Sequence, residues 1–125
     1  MGYKILIVDD SKLARMAVNK VLNALHPDWM RVEVSNADDA VRSVEQASPD
    51  IALLDFNMPG RSGLDLAAEL RKLKPRMQVA VISANHQQEV INRAHAIGAT
   101  FLGKPLTDEQ LSQFLLTAAE ELKKV

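Results

Sequence analysis

"IALLDFNMPG", Ile51–Gly60, decides the fold. An apolar run leads into one carboxylate, Asp55, and a Pro59–Gly60 break follows. A short continuous apolar run bounded by turn residues is the pattern of a strand buried on both faces. The acid at its tip is either a cap for the next loop or a chemical group held on a stiff mount.

Similar runs occur at Ile5–Val8, Val32–Val34, Val79–Ile82 and Thr100–Leu102. Glu33 interrupts the second run, which places it at a sheet edge. Amphipathic stretches lie between the runs. After Ser11 the apolar set is Leu13, Ala14, Ala17, Val18, Val21, Leu22 and Leu25, close to an i, i+3, i+4 pattern. Asn36 N-caps a second helix, with Asp38 and Asp39 at its positive end and Ala37, Ala40, Val41, Val44 and Ala47 inward. Ser62 caps a third, with Leu64, Ala67, Leu70 and Leu73 inward. A fourth spans roughly 86–97 and ends at Gly98. Thr107 and Gln110 form a capping box for the last. Alternating strands and helices predict an α/β chain of flavodoxin-like (βα)5 type. Its sheet is parallel, with helices on both faces, and the flavodoxin-like type carries the strand order 2-1-3-4-5.

The 125 residues suit one domain, expected to span 1–125. A net charge of −1 gives no electrostatic case for direct nucleic-acid or membrane binding. The absence of cysteine excludes disulfides, thiolate nucleophiles and cysteine-based zinc sites. The start, Met1-Gly2-Tyr3-Lys4, runs straight into a strand with no signal-peptide pattern, so a cytoplasmic protein is the default. His26, His86 and His95 have no metal spacing and are expected at the surface.

The polar residues fall on one edge. Asp9 and Asp10 follow strand one, Asp55 strand three, Ser83 strand four and Lys104 strand five. Ligands of open α/β sheets bind at that edge. In the expected strand order Asp9, Asp10 and Asp55 meet. Three close carboxylates repel, and without a cation at least one has a raised pKa. A divalent ion such as Mg²⁺, with Mn²⁺ as an alternative, removes the conflict through oxygen ligands. The turn after Asp55 can aim the Asn57 carbonyl at the metal. Lys104 and the Ser83 hydroxyl add a cation and a donor, which completes a pocket for a phosphoryl group. Each residue alone has an ordinary role as a cap, a turn or a solvated charge. Their joint placement on one edge favours a shared site.

With these residues the chain resembles the receiver domain of two-component response regulators, from Lys4 to about Lys123. "ILIVDDS", "LLDFNMPGRSG", "VISA" and "FLGKPL" carry the resemblance, in order. It implies that Asp55 accepts phosphorus from a phosphohistidine on a sensor histidine kinase or a histidine phosphotransfer protein. Asp10 then holds Mg²⁺ directly, Asp9 through water, and Asn57 by its backbone carbonyl. Ser83 matches the switch hydroxyl, with the small Ala84 beside it, and Phe101 the aromatic switch. Lys104 matches the phosphate-binding lysine, and the Lys104–Pro105 bond is expected cis. Phosphorylation then switches the surface of helix four, strand five and helix five. The resemblance implies a signalling module, not an enzyme acting on an external metabolite. The downstream partner is not named by the sequence: a stand-alone receiver and a piece of a larger regulator with an output domain both fit, as do a monomer and a phosphorylation-dependent dimer.

Two other classes fit less well. A haloacid-dehalogenase-like aspartyl-phosphate phosphatase wants a second acid two residues after its nucleophile. Ser11 stands there after Asp9, and Asn57 after Asp55. A flavodoxin-like flavin carrier wants a hydroxyl- and glycine-rich phosphate loop after strand one, where this chain has two acids.

Overall fold

The computed structural model describes residues 2–58 and 60–124. Strands and helices alternate: β1 Lys4–Val8, α1 Lys12–Leu25, β2 Met30–Val34, α2 Ala37–Ala47, β3 Ile51–Asp55, α3 Gly63–Leu73, β4 Gln78–Ser83, α4 Gln88–Ala96, β5 Thr100–Gly103 and α5 Asp108–Lys123. The strands form a parallel sheet in the order β2-β1-β3-β4-β5, as the sequence predicts.

The continuous apolar runs arise because both faces of the sheet are covered. Successive side chains of a strand point to opposite faces. Leu6, Val8, Ala52, Leu54, Val79 and Val81 pack under α2, α3 and α4. Ile5, Ile7, Ile51, Leu53, Ala80 and Ile82 pack under α1 and α5. All five residues of β3 are buried. The β2 strand is one of the two edges, with no fully buried residue, and Met30 is largely exposed.

The caps form where the sequence places them. Ser11, Asn36 and Ser62 accept from the backbone N–H groups of Ala14, Asp39 and Asp65. Thr107 and Gln110 close a reciprocal capping box. The α4 helix begins at Gln88, two residues later than expected. Asn85 Oδ1 accepts from the Gln87 N–H at 3.0 Å, and this local turn keeps Gln87 extended.

Several expected core positions lie outside. Leu13, Leu25 and Leu73 are exposed, and so is Ala17. Helix α1 has 14 residues and β1 has 5. At about 1.5 Å per helical residue and 3.3 Å per strand residue, the helix overhangs the strand it covers. Its terminal turns, carrying Leu13 and Leu25, have no sheet beneath them. Leu73 occupies the last turn of α3, while Leu66 on the same helix is fully buried. His26 is only half-exposed and stacks on the buried Trp29 at 3.9 Å. Pro59, which the sequence pairs with Gly60 in a turn, lies outside the described residues. Gly60 itself has φ 85°, a conformation suited to glycine.

Candidate functional site

The register of the central strands builds the site. Val8 of β1 aligns with Leu54 of β3, so Asp9 and Asp55 leave the sheet side by side. Asp55 aligns with Ile82, and Ser83 with Gly103. The polar residues of the sequence therefore emerge along one rim.

Asp9, Asp10 and Asp55 each offer a carboxylate oxygen, and these atoms lie within 4.8 Å of one another. Asp9 and Asp55 are buried and Asp10 is exposed. Lys104 Nζ sits 3.0 Å from Asp55 Oδ1. The backbone N–H of Asn57 donates to the same oxygen at 3.3 Å. The Ser11 N–H donates to Asp9 Oδ1 at 2.9 Å. Burial pushes the Asp9 carboxyl above its ordinary pKa, and the Asp55 and Asp10 charges add to the rise. The Ser11 N–H and Lys104 oppose it. Three convergent hard oxygen donors, one of them with a raised pKa, fit a hard metal cation.

An open pocket of about 430 Å³ surrounds this centre. Asp9, Asp10, Asp55 and Lys104 line its polar end, and Ala17, Val21 and Leu111 its apolar wall. Ser83 is not part of that lining. Its hydroxyl is buried and accepts from the Asn85 N–H at 2.9 Å. Ala84 is exposed. Phe101 is half-buried, and its ring meets the ring of His86 edge-on at 5.7 Å. The Lys104–Pro105 bond is cis.

A family model for the response regulator receiver domain matches residues 5–116. The chain belongs to that family. This receiver domain is 31% identical over 116 residues to the chemotaxis protein CheY of Thermotoga maritima, covering 92% of this chain and 96% of that protein. It is 32% identical over 117 residues to the nitrate/nitrite response regulator protein NarL of Escherichia coli K12, covering 92% of this chain and 54% of that protein. It therefore spans nearly all of one relative and about half of the other. The CheY-like receiver domain protein of Methanospirillum hungatei shares its fold, with a TM-score of 0.89 at 21% identity over 100% of both chains. Among the described residues, no helix is long and apolar enough to cross a membrane.

Two residues at the site escaped the sequence reading. A Cβ on Gly63 would lie 2.5 Å from the Asp55 carbonyl oxygen, so the start of α3 reaches the end of β3 only with glycine there. The "RSG" triplet holds this glycine, but a close approach between segments leaves no spacing to read. Arg15, the second residue, donates from Nη1 to the Asp9 carbonyl. It lies among the polar residues of an amphipathic helix, where an arginine gives no signal of its own.

Proposed function

We propose that this receiver domain takes a phosphoryl group onto Asp55 from a phosphohistidine of a sensor histidine kinase or a histidine phosphotransfer protein. The observation that carries the proposal is Asp55 itself: a buried carboxylate at a strand tip, 3.0 Å from Lys104 and grouped with two further acids.

A carboxylate oxygen of Asp55 attacks phosphorus. The new P–O bond forms as the P–N bond breaks, and its electron pair returns to the imidazole nitrogen of the donor. The rigid β3 strand holds the nucleophile for in-line approach. Lys104 stands where it can pass from the carboxylate to the incoming phosphoryl oxygens. Asp10, Asp55 and the Asn57 carbonyl, with Asp9 through water, would hold a Mg²⁺ or Mn²⁺ ion, which would supply charge neutralisation for those oxygens. The pocket's apolar wall, with Leu13 and Met16 exposed on α1, suits a donor that is itself a protein.

Phosphorylation adds charge and acceptor oxygens at Asp55. The Ser83 hydroxyl turns from Asn85 toward them, with Ala84 leaving access. Phe101 then moves into the space behind, and the α4, β5 and α5 surface changes for its partner. The 125 residues act as one phosphorylatable switch that assists its own phosphorylation and hydrolysis and turns over no external substrate. An effector protein or an attached output domain reads the switch.

Incubation with acetyl phosphate and Mg²⁺, beside Asp55→Asn, tests this. Labelling of the wild type alone supports it. Equal labelling of both proteins removes Asp55 from the role.

A further inference from the structure

Glu33 breaks the apolar run of β2, and its carboxylate faces back toward α1. Its Oε1 lies 3.4 Å from Arg15 Nε, and its Oε2 accepts from Asn19 Nδ2 at 3.0 Å. Arg15 is mostly buried, with 18% of its side chain exposed. Its Nη1 donates to the main-chain carbonyl of Asp9. We propose that Arg15 is a positioning residue for the acid pair, oriented by Glu33, and that this clamp sets how tightly the site takes a divalent cation. The inference rests on the acid cluster being such a site.

The argument from covalent geometry is direct. The Asp9 carbonyl and the Asp10 N–H share one planar peptide unit. A donor that fixes the carbonyl therefore fixes the plane from which Asp10 departs. The other ties on this segment act elsewhere: the Asp9 N–H donates to the Val34 carbonyl at 3.1 Å, and the Ser11 N–H, in the peptide unit that follows Asp10, donates to Asp9 Oδ1. Arg15 adds the restraint on the plane that precedes Asp10, the exposed acid of the three, so that Asp10 is held from both sides. Mutual repulsion drives the carboxylates apart when no cation is bound. A segment free to relax has to be reassembled at each binding event, and that lowers affinity. Glu33 contributes in two ways. It pairs with the guanidinium at Nε, and it offsets a positive charge that would otherwise repel the cation.

Mg²⁺ titration followed by thermal shift and calorimetry, with no phosphoryl donor present, tests the clamp. Arg15→Ala is expected to raise the half-saturating Mg²⁺ concentration by roughly tenfold, the lower end of what outer partners of metal ligands contribute. Arg15→Lys restores little of this, because one ammonium cannot span both partners. Glu33→Ala moves the midpoint in the same direction by less. If Arg15→Ala does not fold, Glu33→Ala carries the same test from the exposed side. Variants less stable in chelator but with an unchanged Mg²⁺ midpoint would show a merely structural contact and overturn the proposal. A lower midpoint in Arg15→Ala would show a repelling charge and overturn it as well. If the wild type itself ignores Mg²⁺, the metal site fails and the clamp with it. If the wild type responds and both folded variants match it, the clamp alone fails.

Discussion

Lys104 Nζ meets Asp55 Oδ1 at 3.0 Å, joining the tips of β5 and β3 across 49 residues of chain. The carboxylate end is buried, with 5% of its side chain exposed, and the lysine end is 38% exposed. Removing the lysine leaves a buried acid facing two others. Lys104→Ala is expected to lower stability in chelator by about 1–3 kcal/mol, less than for a fully buried pair because the lysine reaches water. Saturating Mg²⁺ should recover much of that loss. The acetyl phosphate labelling rate should fall about a hundredfold, as for other lost charge-stabilising groups. Denaturant curves with and without Mg²⁺, together with labelling kinetics, check both effects.

Gly63 sets how close α3 comes to the acceptor. Gly63→Ala places a methyl 2.5 Å from the Asp55 carbonyl, against backbone that has little room to yield. The expected cost is about 1–3 kcal/mol, the range for overpacking. Labelling should slow even in the folded fraction, because the end of β3 has to shift. Unfolding curves and single-turnover labelling separate the two effects. Unchanged values in both would mean that the contact relaxes freely.

Asp9 gives the site a pH signature. Its native carboxyl binds a proton more tightly than the same group in the unfolded chain. Between the ordinary carboxylate pKa and the raised native one, the native state holds more protons. The contribution of Asp9 to stability therefore rises as pH falls through that window, ends below it, and is unfavourable at neutral pH. Asp9→Asn keeps an oxygen for the Ser11 N–H and removes the charge. In chelator it should melt higher than the wild type at neutral pH, with the gap closing as pH falls. Its Mg²⁺ response should be weaker. In the wild type, protons and Mg²⁺ compete, so the half-saturating Mg²⁺ concentration should climb toward acid pH.

Ser83 separates chemistry from response. Its hydroxyl is engaged by the Asn85 N–H and stands outside the pocket lining. Ser83→Ala should still accept label, within about tenfold of the wild-type rate. It should lose most of the label-dependent change in amide exchange over α4, β5 and α5. A full response in Ser83→Ala would remove the hydroxyl from the switch.

The strands and the five polar residues at their tips were legible because both follow from patterns along the chain, while the strand order came with the flavodoxin-like fold type. Runs buried on two faces mark the strands, and a residue that follows such a run must sit at its tip. What stayed hidden depends on distances between segments. The overhang of α1 exposes Leu13 and Leu25 although their spacing matches that of buried Val18 and Val21. The late start of α4 comes from one side-chain bond of Asn85. Glu33 was readable as an edge marker, but its reach to Arg15 required coordinates.

The most direct measurement is to locate the phosphoryl group by mass spectrometry after incubation with acetyl phosphate and Mg²⁺. One phosphoryl group on Asp55, absent without Mg²⁺, is the expected result. Stoichiometric label on another residue, or label on Asp55 indifferent to Mg²⁺, would contradict the assignment of these three acids to one metal-assisted acceptor site.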